Sequence, residues 1–90
     1  MDIRKFYIEA KQKEIKVAVS KSLIRYRLLN RYSQKQIAVT LGISQPAYSK
    51  MEAGQTKVSS IILQQLAVLY DIGTTDFYTT GTTSEEKISN

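Results

Sequence analysis

Residues 32–54 constrain the fold of this chain more than any other stretch, because they spell out two short helices and the bend between them. Ser33 and Gln36 stand at the S-x-x-Q spacing of a capping box, in which each side chain satisfies the other residue's free backbone N–H. Tyr32 and Ile37 occupy the two staple positions around that cap. Gly42 follows Leu41 where the helix has to stop in a left-handed turn, a conformation glycine adopts at little cost. Ser44 then caps a second helix. Pro46 falls in its first turn, where a missing N–H loses nothing, and Ile43 with Tyr48 repeats the staple. This second helix is expected to run to about Ala53 and stop at Gly54.

The flanking segments add further helices. A cap at Ser59 or Ser60 opens one that continues through Tyr70, with Ile62, Leu63, Leu66, Ala67 and Tyr70 at core spacing. Upstream, Leu23, Tyr26 and Leu29 or Asn30 fit a helix over roughly residues 18–30. Residues 1–17 admit two readings: Ile3, Phe6, Tyr7, Ala10 and Ile15 form a helical stripe, whereas the β-branched stretch from Ile15 to Val19 suits an extended chain. The helical reading is preferred. From Gly73 onward the chain is rich in Thr, Ser and Gly, with Phe77 and Tyr78 as its main anchors. The expected architecture is all-α: a compact bundle of about five short helices over residues 18–78, an N-terminal extension of residues 1–17, and a flexible tail of residues 79–90.

Composition narrows the function. Ninety residues supply apolar volume for a single core. The chain has no cysteine and no histidine, which removes disulfides, the usual zinc ligands, thiolate nucleophiles and the commonest general base. Its eight acidic residues show no paired arrangement, so neither an enzyme nor a metal or cofactor site is expected. Apolar runs such as Ile61-Ile62-Leu63 are far too short for a membrane span or a signal-peptide core, and a cytoplasmic protein is the corresponding expectation. The net charge of +5 is uneven. Residues 1–31 hold nine basic residues against Asp2, Glu9 and Glu14, a net +6, while residues 32–78 balance to zero. The basic first third, including Lys11, Lys13, Lys16, Lys21 and Arg25, suits either a polyanionic partner or a solvated helix face.

Two short helices joined by a three-to-four-residue turn containing Gly are the parts of a helix-turn-helix. Steeply crossing helices need a small residue at closest approach, and Ala38 takes that place. Gly42 supplies the turn, and Ile37, Leu41, Ile43, Tyr48 and Met51 supply the apolar side chains that face the crossing. The outer face of the second helix is left with Ser44, Gln45, Pro46, Ser49, Lys50 and Ala53. That face is small or polar, with a single positive charge.

At this point the chain resembles a known family. Tyr-Ser-Gln at 32–34, Leu-Gly-Ile-Ser at 41–44 and Met-Glu-Ala-Gly at 51–54 make residues 20–78 similar to the phage-repressor and Cro-type (XRE-like) helix-turn-helix family. The resemblance implies a DNA-binding transcriptional regulator that reads the major groove with the helix over residues 44–53. It implies that Arg27 and Glu52 form a structural salt bridge between the first and third helices of that domain. It also implies that Gln34 and the neighbouring Lys35 hold backbone phosphate, as do Thr56 and Lys57 in the loop that follows. Gln45 and Lys50 then stand where base-reading side chains lie, with Ser44 and Ser49 beside them. Gln can bond adenine, and Lys can donate to guanine. The sequence departs from the family at Pro46, a potentially reading position, and at Ala53, where many relatives carry Asn. Arg31 and Asp71 stand at frequent Gly positions.

One recognition helix spans few base pairs, so the expectation is a homodimer on a near-palindromic operator of double-stranded DNA. Its contact would come from the helix that ends at Tyr70 and the segment after it, Ile72, Phe77 and Tyr78, or from the N-terminal extension. A different class remains open: a protein-interaction module, such as an antitoxin that binds a partner protein, through the extension or the bundle, and represses its own operon.

Overall fold

The computed structural model describes residues 3–79. Four α-helices follow one another: α1 (Ile3–Leu29), α2 (Gln34–Leu41), α3 (Gln45–Glu52) and α4 (Ser60–Tyr70), with a closing 3₁₀ turn over Thr74–Tyr78. The expected tail lies, apart from Thr79, outside the described residues. No helix among the described residues is long and apolar enough to cross a membrane, and none of their His, Cys, Asp or Glu residues cluster as a metal site would require.

The expected first helix turns out to be the second half of a much longer one. α1 runs unbroken for 27 residues, so residues 3–17 are continuous with the helix that follows, and the bundle is not built of short helices alone. The β-branched residues Ile15, Val17 and Val19 do not break it, since each costs a helix only tenths of a kcal/mol and no Gly or Pro lies between Ile3 and Leu29. What holds this middle part helical is burial: Ala18, Val19, Ser22 and Leu23 are buried, at the spacing of one helix face. Every side chain from Ile3 to Val17, by contrast, is exposed. Ile3, Phe6 and Tyr7 of the helical stripe reach no core.

The core lies between the second half of α1, α2, α3, α4 and the 3₁₀ turn. Leu23, Ile37, Tyr48, Leu66 and Phe77 are fully buried there. Tyr26 stacks on Tyr70 with ring centroids 6.0 Å apart and meets Phe77 edge-on at 5.7 Å, so α1, α4 and the 3₁₀ turn share one aromatic cluster. The Ser22 hydroxyl donates to the Thr79 carbonyl at 3.2 Å and ties the end of the described chain back to α1.

Helix ends follow local chemistry closely. Ser33 Oγ accepts from the Gln36 amide at 3.0 Å while Gln36 Oε1 accepts from the Ser33 amide at 2.8 Å, completing the capping box. Ser44 and Ser59 cap α3 and α4 in the same way, though singly. All four α-helices stop in a left-handed residue: Arg31, Gly42, Gly54 and Asp71, with φ between 56° and 72°. At each of them the next amide donates back five residues, as Tyr32 does to Arg27 and Ile43 to Ala38. This pairing satisfies carbonyls that a helix end otherwise leaves free.

Candidate nucleic-acid interface

α2 and α3 cross where the sequence has its smallest apolar side chain. Ala38 is only 2% exposed, so no larger residue fits there without pushing the helices apart. Gly42, at φ 72°, makes the turn, and Leu41, Ile43 and Met51 pack partly buried against the core on either side of it. α3 is therefore held from behind by Tyr48 and Glu52, both buried.

The anchor beneath α3 is an ion pair. Arg27 Nε donates to Glu52 Oε2 at 2.6 Å and Arg27 Nη2 to Oε1 at 3.0 Å, a two-pronged contact that fixes geometry as well as charge. Arg27 Nη1 also donates to the Tyr32 carbonyl at 2.9 Å, which joins α1, the turn before α2 and α3 in one knot. Burial alone would raise the pKa of Glu52. Hydrogen bonds from Arg27, the Tyr48 hydroxyl close by and Gln34 outweigh it and hold the carboxyl below its ordinary value. Burial, then the charge of Glu52, pushes the Tyr70 hydroxyl up to about 12, while burial, then hydrogen bonding to Glu52 and its charge, drives Tyr48 higher still. Both tyrosines are neutral core members, and the Tyr70 hydroxyl is buried without a hydrogen-bond partner.

Gln34 stands at the first turn of α2, half-buried, and its amide Nε2 donates to Glu52 Oε1 at 2.9 Å. The side chain is thus committed to α3 through its nitrogen, a link the sequence reading did not foresee. Lys35 beside it is exposed. On α3 the residues placed outward are Gln45, Pro46 and Lys50, with Ser49 and Ala47 half-buried between them. Ser44 is exposed, and its oxygen accepts the Ala47 amide at 3.2 Å, so it serves as a cap before anything else. Thr56 and Lys57 are exposed on the loop after α3.

Composition alone did not reveal which basic residues of α1 stand beside the loop after α3. A cleft of about 470 Å³ opens between α1 and the loop after α3, and its lining brings Lys13 and Lys16 together with Thr56 and Lys57 over a floor that includes Val19 and Met51. The helical spacing of 13 and 16 was visible in the sequence. That they face the loop 40 residues further on was not, because nothing local encodes it. Lys13, Lys16 and Lys57 thus share one cleft, with Glu9 the acidic residue in its lining.

The fold and this surface define an all-α helix-turn-helix domain whose second helix is presented to solvent. The helix-turn-helix family matches residues 23–77, more than half of the chain, and the protein belongs to that XRE-like family of DNA-binding transcriptional regulators. Among curated proteins none matches the sequence. Among solved structures, that of a hypothetical transcription factor, NHTF, from Neisseria is similar with a TM-score of 0.77 at 12% identity, over 87% of this chain and 88% of that one. At that identity the likeness is one of fold. Its extent is larger than the family match, so it includes part of the exposed half of α1.

Proposed function

We propose that the protein is a sequence-specific transcriptional repressor that inserts α3 into the DNA major groove. The observation that carries this reading is the division of α3: Tyr48 and Glu52 are buried behind it, while Gln45 and Lys50 project from a face with no apolar bulk and no acidic group. Gln45 and Lys50 read base edges, helped by Ser49 and by the remaining donor capacity of Ser44. Lys35, Thr56 and Lys57 grip phosphates on either side, and Gln34 steadies α3 through its hydrogen bond to Glu52. The repressor works as a homodimer on a near-palindromic operator in the cytoplasm, since two recognition helices about one DNA turn, ~34 Å, apart multiply the specificity of one.

The test is selection of bound genomic DNA followed by titration of the best site. Lys50→Ala is expected to weaken binding to that site by about 1–3 kcal/mol and to relax one base position, the signature of a lost bidentate contact. Equal weakening on every sequence would make Lys50 a phosphate contact, and binding without any sequence preference would remove the repressor reading. A second reading, an antitoxin-like module that also holds a partner protein, draws on the exposed apolar side chains along the first half of α1.

A further inference from the structure

The first half of α1 carries large apolar side chains that no part of the domain covers. Ile3 is 77% exposed, Phe6 67% and Tyr7 60%. With about 100° of rotation per residue, Ile3, Tyr7, Val17, Ile24 and Leu28 fall within one arc of about 100° along the whole helix. Leu28 is exposed and Ile24 half-buried without joining the core, so apolar groups stand uncovered at both ends of this stripe. With Ala10, Glu14 and Lys21 they complete a frame of alternating four- and three-residue steps, 3, 7, 10, 14, 17, 21, 24 and 28, the spacing of a seam between paired helices. The residues that break the stripe midway, Glu14 and Lys21, are of opposite charge.

We propose that the occupant of this stripe is the α1 of a second copy of the chain, packed antiparallel, and that this contact is the dimer interface of the repressor. In the antiparallel register Ile3 meets Leu28 of the second copy and Tyr7 meets Ile24, so each apolar end of the stripe covers the other. Glu14 then lies about one helical turn from Lys21 of the second copy. A parallel pair would instead align Glu14 with Glu14 and Lys21 with Lys21, setting like charges against each other. The seam runs the ~40 Å length of α1, long enough for a helix pair to approach the roughly 800 Å² per partner of a standard interface.

The placement of α3 supports the same arrangement. Arg27, which holds Glu52, and Ser20, whose Oγ would lie 3.7 Å from a Cβ on Gly54, sit about a quarter-turn around α1 from the stripe. The twofold axis of an antiparallel pair stands perpendicular to the plane of the two helices, which is also a quarter-turn from the seam. Both copies of α3 therefore emerge on the same side of the dimer, along its axis, as a single duplex requires. This last step rests on the DNA-binding reading, and the helix pairing does not.

The absence of native cysteine makes the test direct. Ile3→Cys and Leu28→Cys are prepared as separate full-length variants, then mixed and oxidised without DNA. The antiparallel pair predicts a disulfide between the two variants and none within either alone, because identical positions stand about 40 Å apart and a disulfide needs Cα atoms within about 7 Å. Self-linking of Ile3→Cys, or no mixed link at all, overturns the proposal; the latter is expected if the dimer uses Ile61 and Val68 on α4. In sedimentation, Tyr7→Glu is expected to raise the dimer dissociation constant at least tenfold with an unchanged helical signal, and a dimer unaffected by it also overturns the proposal. A mixed link in a protein that binds no DNA sustains the interface and removes the repressor reading. Operator binding without the link does the reverse.

Discussion

Glu52 is 6% exposed and charged, so what it contributes depends on the donors gathered around it. Its pKa is lower folded than unfolded. The stability it adds is therefore complete above its ordinary value of 4.5 and is lost as pH falls through the lowered folded value. Arg27→Ala leaves a buried carboxylate without its main counter-charge. The expected cost at neutral pH is about 3 kcal/mol, seen as a lower melting temperature. In acid the gap between variant and wild type should narrow, because a protonated Glu52 no longer requires the guanidinium. Equal melting temperatures at neutral pH would show that the pair holds nothing together. The resemblance to the family pointed to these two residues 25 positions apart. The third partner, Gln34, escaped the sequence reading because its position suggested phosphate and its reach toward Glu52 depends on how α2 is tilted.

At the scale of elements, what the sequence made legible was local. Ser33, Ser44 and Ser59 act within four residues and the turns after Leu41 and Glu52 within five, and each was readable because its chemistry is local. The course of α1 was less legible. Its apolar residues serve two different surfaces, a core face beginning at Ala18 and an outer face beginning at Ile3, and a single stripe cannot be read through both. The link between Ser22 and Thr79, 57 residues apart, leaves no trace in any local pattern. The four helix ends offer a matched comparison. They share one geometry, but Gly42 and Gly54 meet it with glycine while Arg31 and Asp71 adopt positive φ with a side chain. A Cβ at Gly42 would touch nothing within 4 Å, so Gly42→Ala isolates the backbone cost, about 1–2 kcal/mol. Arg31→Gly is expected to act in the opposite direction, by up to about 1 kcal/mol, with glycine's extra freedom in the unfolded chain offsetting part of the gain. Thermal melts of both variants measure this. A destabilising Arg31→Gly would mean that the arginine side chain contributes more than its backbone costs.

For the molecule as a whole, the question left by its charge is whether the basic first third touches DNA or merely keeps α1 hydrated. The fold divides those residues unevenly. Lys13 and Lys16 line the cleft beside Thr56 and Lys57, whereas Lys11 is engaged with Glu14 at 3.2 Å on the exposed side of the helix. Each phosphate neutralised by a lysine releases condensed counterions, and the slope of log affinity against log salt steepens by about 0.9 per contact. A dimer that uses Lys13, Lys16, Lys35 and Lys57 from each copy would show a slope of roughly −7. Replacing Lys13 and Lys16 together by Ala removes four of those eight contacts, and the slope should fall by roughly 3.6. Preference among operator sequences should stay the same, since both residues belong to α1 and not to α3. A double variant with an unchanged slope would place both lysines on a solvated face and confine the interface to α2, α3 and the loop between α3 and α4.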